Sequence, residues 1–290
     1  MELKQDREFH FTRSDFEKVR KLIYAHAGIN LSDAKQDMVY SRLARRLRAN
    51  NMQTFAQYLA LLETNNEKEW EAFVNSLTTN LTSFFREPHH FPILADYLKH
   101  HGHGHEVVIW CSASSTGEEP YSIAMTAVEA YNSYTPPVRI LASDLDTNVL
   151  KKAEEGMYPL ERVEKLPDEK VRRFFLKGTG NNEGMVKVRP ELRNLITFRQ
   201  INLLDSNWPI RGPIDVIFCR NVMIYFDKDT QYSILKKFAP LLRHDGLLFA
   251  GHSESFHHAT DLFHLRGRTV YELASHHKHT AQQMHGGARR

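Results

Sequence analysis

Val107-Val108-Ile109-Trp110-Cys111-Ser112-Ala113-Ser114-Ser115-Thr116-Gly117-Glu118-Glu119-Pro120 is the stretch that decides the fold. Its five apolar residues, β-branched at the front, fit a short strand buried on both faces. Small residues follow, and Pro120 then suits the first turn of a helix. Reading outward, residues 138–142, 214–219 and 247–250 are further apolar runs. Helical spacing over 121–131, 147–153 and 230–242 alternates with them. Buried strands alternating with helices predict an α/β domain built on a doubly wound parallel sheet. Residues 265–271 read as a turn feeding a last, antiparallel strand.

The texture differs on either side of this core. Residues 1–79 contain one glycine, Gly28, and no proline. Their apolar residues recur every three or four positions, as in Phe16, Val19, Leu22 and Ile23, or Val39, Leu43 and Leu47. An N-terminal all-α domain over 1–79 is expected, with a helix start at Ser32-Asp33. The α/β domain then covers 80–275. Within it, Met185-Val186-Lys187-Val188-Arg189 and Leu195-Ile196-Thr197-Phe198-Arg199 alternate apolar with polar residues. That is the mark of a half-exposed antiparallel hairpin, so a small β-insert is expected at about 172–200. Residues 276–290 have no apolar pattern and read as a disordered tail.

Composition narrows the function. In 290 residues, 38 Lys and Arg against 35 Asp and Glu leave a charge of +3, too little to imply nucleic acid by itself. No apolar run is long enough to span a bilayer, and no signal-like apolar core follows Met1. Cys111 and Cys219 sit inside apolar runs and read as small buried hydrophobes of a cytoplasmic protein. His100, His101, His103 and His105 lie in a Gly-interrupted polar stretch, which is a poor scaffold for a metal, and no metal is expected.

In a doubly wound sheet a ligand sits beyond the carboxyl ends of the strands. The loop after the first strand is no dinucleotide motif, since only Gly117 is a glycine. Glu118 and Glu119 occupy the helix N-terminus where a pyrophosphate would lie, so a cationic or neutral ligand suits the site better; both acids could instead merely complement the helix dipole. Ser143-Asp144-Leu145-Asp146 ends the second strand. Asp146 fits a helix N-cap, which leaves Asp144, 27 residues beyond Gly117, for a ribose diol. Asn202-Leu203 could flank an adenine or form a plain turn. Arg220 and Asn221, directly after an apolar strand, are placed for a site at its tip, and Tyr225 offers an aromatic face to a cation.

Four segments carry a resemblance. They are Asn80-Leu81-Thr82-Ser83-Phe84-Phe85-Arg86-Glu87, the Ser114–Ser122 loop, Cys219-Arg220-Asn221-Val222-Met223-Ile224-Tyr225-Phe226-Asp227 and Gly251-His252-Ser253-Glu254-Ser255. In their order they closely resemble the CheR-type chemotaxis protein-glutamate O-methyltransferases, over about residues 10–274. The resemblance implies a Rossmann-like S-adenosylmethionine-dependent methyltransferase domain behind a receptor-contacting helical domain. It implies methyl transfer to glutamate side chains of chemoreceptors, with S-adenosylhomocysteine as product. It places Asn80, Thr82, Arg86, Glu118, Asp144, Asn202, Leu203, Arg220 and Asn221 around the cofactor, and Arg86 and Tyr225 near methyl transfer. The β-insert is similar to the subdomain that in some members docks a receptor C-terminal peptide. A monomer is expected.

Residues 38–49 carry Arg42, Arg45, Arg46 and Arg48 and no acid. At about 100° per residue, Lys35, Arg42 and Arg46 share a stripe beside Val39, Leu43 and Leu47. With Arg45 they form a candidate track for an acidic receptor helix. A solvated face or a nucleic-acid surface would show the same charge, so an RNA methyltransferase and a non-enzymatic S-adenosylmethionine-binding adaptor stay open on this stripe alone.

Overall fold

The computed structural model describes residues 7–64, 66–101 and 104–275. The expected tail at 276–290 and His103 lie outside the described residues. The chain divides into two compact units: one runs through Thr79 and takes in Tyr225–Asp227, and the other holds Asn80–Ile224 and the residues from Lys228 onward.

The first unit is helical: α1 (Arg13–Ala27), α2 (Gln36–Ala49), α3 (Phe55–Glu63) and α4 (Glu67–Leu77). Thr12 and Thr54 open α1 and α3 with capping boxes, each side chain accepting from the N3 amide while the N3 side chain accepts from the cap's own N–H. Gly28, at φ 66°, closes α1 in a left-handed turn. The expected start at Ser32-Asp33 is a 3-10 turn, Asp33–Lys35, leading into α2. Phe16, Val19, Ile23, Val39, Leu43, Leu47, Phe73 and Leu77 are buried, so the recurrence seen in sequence is the core face.

The second unit is built on a seven-stranded sheet, ordered β6-β2-β1-β7-β8-β10-β9. Its strands are β1 (Val107–Cys111), β2 (Val138–Asp144), β6 (Ile196–Gln200), β7 (Ile214–Cys219), β8 (Leu242–Ala250), β9 (Phe263–Gly267) and β10 (Val270–Leu273). The first five run parallel; β10 and β9 are antiparallel additions at one edge. The strand order reverses between β1 and β7, which makes their carboxyl ends the switch point. Helix α5 (His90–His101) precedes β1, and α6 (Glu118–Tyr131), α7 (Thr147–Glu155) and α10 (Lys228–Phe238) lie between the strands in sequence. Cys111 and Cys219 are fully buried, and burial pushes both thiols up.

The small antiparallel sheet exists, but its composition differs from the expected hairpin. It is ordered β3-β5-β4, from β3 (Met157–Pro159), β4 (Phe175–Lys177) and β5 (Met185–Val188), with α8 (Asp168–Phe174) before β4. Residues 195–199 do not pair with β5. After α9 (Pro190–Arg193), Ile196–Gln200 forms the parallel edge strand of the main sheet, Ile196 opposite Ile140 and Phe198 opposite Ala142. An edge strand covered on one side alternates buried and exposed residues just as a hairpin does, so alternation could not separate the two.

Candidate active site

The site is assembled from the loops at the tips of β1, β2 and β7 and from the segment Asn80–Glu87 that leads into the second unit. Gly117 stands at φ 97° and sets the N-terminus of α6. A Cβ there would meet the Ala153 Cβ at 2.8 Å, so glycine is required both for its backbone and for its space. Glu118 is fully buried and accepts from Thr116 Oγ1 at 2.6 Å and from Arg162. The Arg162 guanidinium also donates to the Thr82 carbonyl at 3.3 Å. Arg162 thus ties the small-sheet segment to two expected site residues, and no sequence signal marked it, because its partners lie 44 and 80 positions away.

Asp146 takes the N-cap position that the sequence suggests. Asp146 caps α7, accepting from the amides of Asn148 and Val149, and also accepts from the Asn80 side chain at 2.9 Å. Asp144 is half-buried at the end of β2 and accepts from Ser115 N–H at 2.8 Å and Asp146 N–H at 3.0 Å. Desolvation outweighs these bonds and pushes its carboxyl up to about 6. At neutral pH it is therefore mostly an anion with acceptor capacity to spare, the donor-seeking group that a vicinal diol fits. Asn202 and Leu203 follow β6. Their carbonyls are held by Trp208 Nε1 at 3.1 Å and Lys237 Nζ at 2.6 Å, and the Leu203 side chain is buried.

Arg220 and Asn221 are placed differently from a pair that simply lines a pocket. The Arg220 side chain is 1% exposed and pairs with Glu119 at 2.6 Å and Glu87 at 3.3 Å, while also donating to the Arg86 carbonyl. Burial pushes Glu119 up, opposed by Arg220. Burial also raises Glu87, but Arg220 and hydrogen bonds from His252 and Asn221 outweigh it and bring the carboxyl down to about 2. Asn221 N–H and Met223 N–H donate to Glu254 at 2.9 and 2.7 Å. Gly251 lies so close to this bundle that a Cβ would fall 2.4 Å from Asn221 Nδ2. Arg220 therefore positions the Arg86-Glu87 turn from beneath. Glu87 and Glu254 escape a reading from sequence, because their function as acceptors for distant main-chain amides leaves no trace in spacing.

Phe85, Glu87, Ser115 and Asn221 all hold φ between 47° and 59°. Left-handed non-glycine residues are uncommon, and here they gather in the same loops, where the surrounding hydrogen bonds hold them. Arg86 is half-buried and donates to the Leu81 carbonyl at 2.8 Å. Tyr225 falls in the helical unit, where its carbonyl accepts from Asn30 N–H at 2.9 Å.

The basic helix is partly committed to its own unit. Arg42 donates to the carbonyls of Ser76 and Thr78, the latter at 2.6 Å. Arg46 forms a two-pronged bond with the buried Glu69, at 3.0 and 2.7 Å, and Tyr58 donates to the same carboxylate. Desolvation raises Glu69, but these donors outweigh it and bring it down. Lys35 and Arg45 are exposed and have no ion pair among the described residues.

Residues 80–271 match the family model described as CheR methyltransferase, SAM binding domain, and residues 14–78 match CheR methyltransferase, all-alpha domain. The chain is 54% identical over 270 residues to chemotaxis protein methyltransferase 2 of Pseudomonas aeruginosa, covering 93% of this chain and 96% of that protein. It is 54% identical over 260 residues to the chemotaxis protein methyltransferase of Salmonella typhimurium, covering 89% and 90%. The Escherichia coli protein of the same description is 53% identical over 260 residues, with the same coverage.

Proposed function

We propose, from the premise that this chain belongs to the CheR methyltransferase family, that it methylates glutamate side chains on the cytoplasmic helices of chemoreceptors for sensory adaptation. The products are glutamate methyl esters and S-adenosylhomocysteine. S-adenosylmethionine supplies an electrophilic methyl group on a cationic sulfur. The observation that carries the reading is the Asp144 carboxylate at the tip of β2, anchored by two main-chain amides and still able to accept from a ribose diol.

The chain's own work is binding and alignment. Asp144 takes the ribose hydroxyls, and Asn202-Leu203 borders the adenine. Asn80, Thr82, Arg86 and Glu118 enclose the methionine end, with Arg162 holding Glu118 and the Thr82 carbonyl in place. Arg220 and Asn221 act through Glu119, Glu87 and Glu254 by fixing the loop that carries Arg86. An ordinary glutamate ionises near pH 4.3, so the nucleophile needs no general base. Alignment and exclusion of water are what remain to be supplied. A guanidinium paired tightly to the attacking oxygen would dull it, so Arg86 orients or steers and moves no proton. Tyr225 is assigned to methyl transfer on the family resemblance alone. Lys35 and Arg45, with Arg42 and Arg46 beside them, meet the acidic receptor helix, and the small β-sheet is a candidate dock for a receptor tail peptide. The protein works in the cytoplasm as a monomer.

The test is incubation with methyl-labelled cofactor and a receptor cytoplasmic domain. Base-labile label on glutamate is expected. Label that resists base, or that appears only on RNA, overturns the reading.

A further inference from the structure

The segment that carries Arg86 continues into Glu87, His89 and His90, whose ligand-type atoms all lie within 4.8 Å of one another. His90 is fully buried. Its Nε2 lies 2.9 Å from the Arg268 carbonyl and 3.1 Å from Thr269 Oγ1, whose own proton goes to the Ala250 carbonyl at 2.9 Å. Both neighbours can therefore only accept, so Nε2 carries the ring proton and Nδ1 presents a bare lone pair. That lone pair faces Glu87 Oε2 at 3.8 Å. Neither atom has a hydrogen-bond partner among the described residues. Glu87 Oε2 is ion-paired with Arg220 at 3.3 Å, whereas the His90 Nδ1 lone pair is buried without a donor, which is costly and calls for a cation or a proton beside it.

A metal ion fits the gap by geometry, because the buried Nδ1 lone pair already faces a carboxylate oxygen. His89 is half-buried with its ring centroid 4.3 Å from that of His90, so it can close a third side. Glu119 and Glu87 share the Arg220 guanidinium, at 2.6 and 3.3 Å.

We propose that Glu87, His89 and His90 form a binding site for a divalent transition metal of the Zn²⁺ class. Two imidazoles and one carboxylate are a ligand set that Zn²⁺ takes with a fourth position open, at bonds of about 2.0–2.2 Å. Such bonds set ligands about 3.4 Å apart, so the trio must draw in by roughly an ångström, which rotation of His89 supplies. The exposed His252, with Nδ1 3.1 Å from Glu87 Oε1, lies within reach of the open side. Because Glu87 also braces Arg220 beneath Arg86, loading the metal lowers methyl transfer.

The chain has 17 histidines, so the test must separate this site from background. Untagged full-length protein is titrated with Zn²⁺ against a chromophoric chelator, and with Co²⁺ while following visible absorption. One equivalent that binds with low-micromolar or tighter affinity and gives a tetrahedral Co²⁺ band is expected. His89→Ala and His89→Gln, both at a half-buried side chain, should each weaken it at least tenfold, whereas His101→Ala at the end of α5 should leave it unchanged. No such equivalent in the wild type, or undiminished affinity in both His89 variants, overturns the proposal.

Discussion

The tips of β7 and β8 and the tips of β1 and β2 use the same ingredients, carboxylates against loop amides, to opposite ends. Beyond β7 and β8, Glu254 takes the amides of Gly251, Asn221 and Met223, and Arg220 is enclosed by Glu119, Glu87 and the Arg86 carbonyl. That side is closed; its charges are consumed in holding loops. Beyond β1 and β2, Asp144 takes the amides of Ser115 and Asp146 and stays half-buried, with no cationic side chain paired to it among the described residues. The first arrangement makes a rigid wall, and the second leaves a charge for a ligand. The same residue type is structural or functional according to how many donors the fold has already brought to it.

The closed side should break hardest. Arg220→Met removes the guanidinium and leaves Glu119 and Glu87 buried without their partner. Losing one member of a buried pair costs about 3–5 kcal/mol, to be read as a fall in the urea midpoint. Arg220→Met with Glu119→Leu should recover part of that loss, because the second change removes the stranded charge. A single-variant loss below about 1 kcal/mol would mean that the wall does not rest on Arg220.

Next comes the hinge between the two sides. Gly117→Ala must hold a left-handed residue where its Cβ meets Ala153 at 2.8 Å. A cost of about 1–3 kcal/mol in stability is expected, together with weaker S-adenosylhomocysteine binding as the loop shifts. Unchanged calorimetric affinity would show that the loop's position does not govern the pocket.

The open side should lose binding instead of stability. Asp144→Asn removes a charged acceptor worth about 1.5–3 kcal/mol, roughly a 10- to 150-fold fall in affinity for S-adenosylhomocysteine. The pH dependence carries its own sign. The folded carboxyl is raised from 3.8 to about 6, so the empty fold holds its proton more tightly than the unfolded chain does. This group's contribution to the stability of the empty protein therefore declines as pH rises from about 4 to about 6. Ligand affinity runs the other way: the anion accepts from the diol, so affinity falls as pH drops below about 6. The Asn variant should be flat across that range. A wild-type profile equally flat would remove Asp144 from the ribose.

These contrasts bear on what could be read from the chain. The apolar run at Val107–Cys111, the small-residue loop and the cap at Asp146 were legible because each is a local rule: burial on both faces, close backbone approach, an N-cap geometry. The parallel edge strand Ile196–Gln200 was not, because one-sided covering produces the same alternation as a hairpin. Arg220 read as a pocket residue because its position after a strand is visible and its buried partners 101 and 133 positions away are not. Arg162 left no signal at all. Sequence places a side chain on a face or at a tip; only the folded partners decide whether its charge is already spent.

The smallest effect expected tests that last point on the helical unit. By periodicity Arg42 and Arg46 share a stripe with Lys35, and Arg45 joins them in the candidate track. In the fold, Arg42 is bonded to the chain after α4 and Arg46 to Glu69, so reversing either would disturb the unit and confuse recognition with folding. Lys35 and Arg45 stand exposed. Lys35→Glu with Arg45→Glu should therefore leave stability within about 0.5 kcal/mol, as surface changes do, and leave S-adenosylhomocysteine affinity untouched. The receptor KM should rise a few-fold, since exposed charge pairs contribute about 0.2–1 kcal/mol each. The wild-type KM should approach that of the variant as salt is added, because screening removes the same attraction. A receptor KM indifferent to both substitutions and to salt would mean that the outward charges are as uninvolved in recognition as the inward ones, and the receptor track would have to be sought on another face.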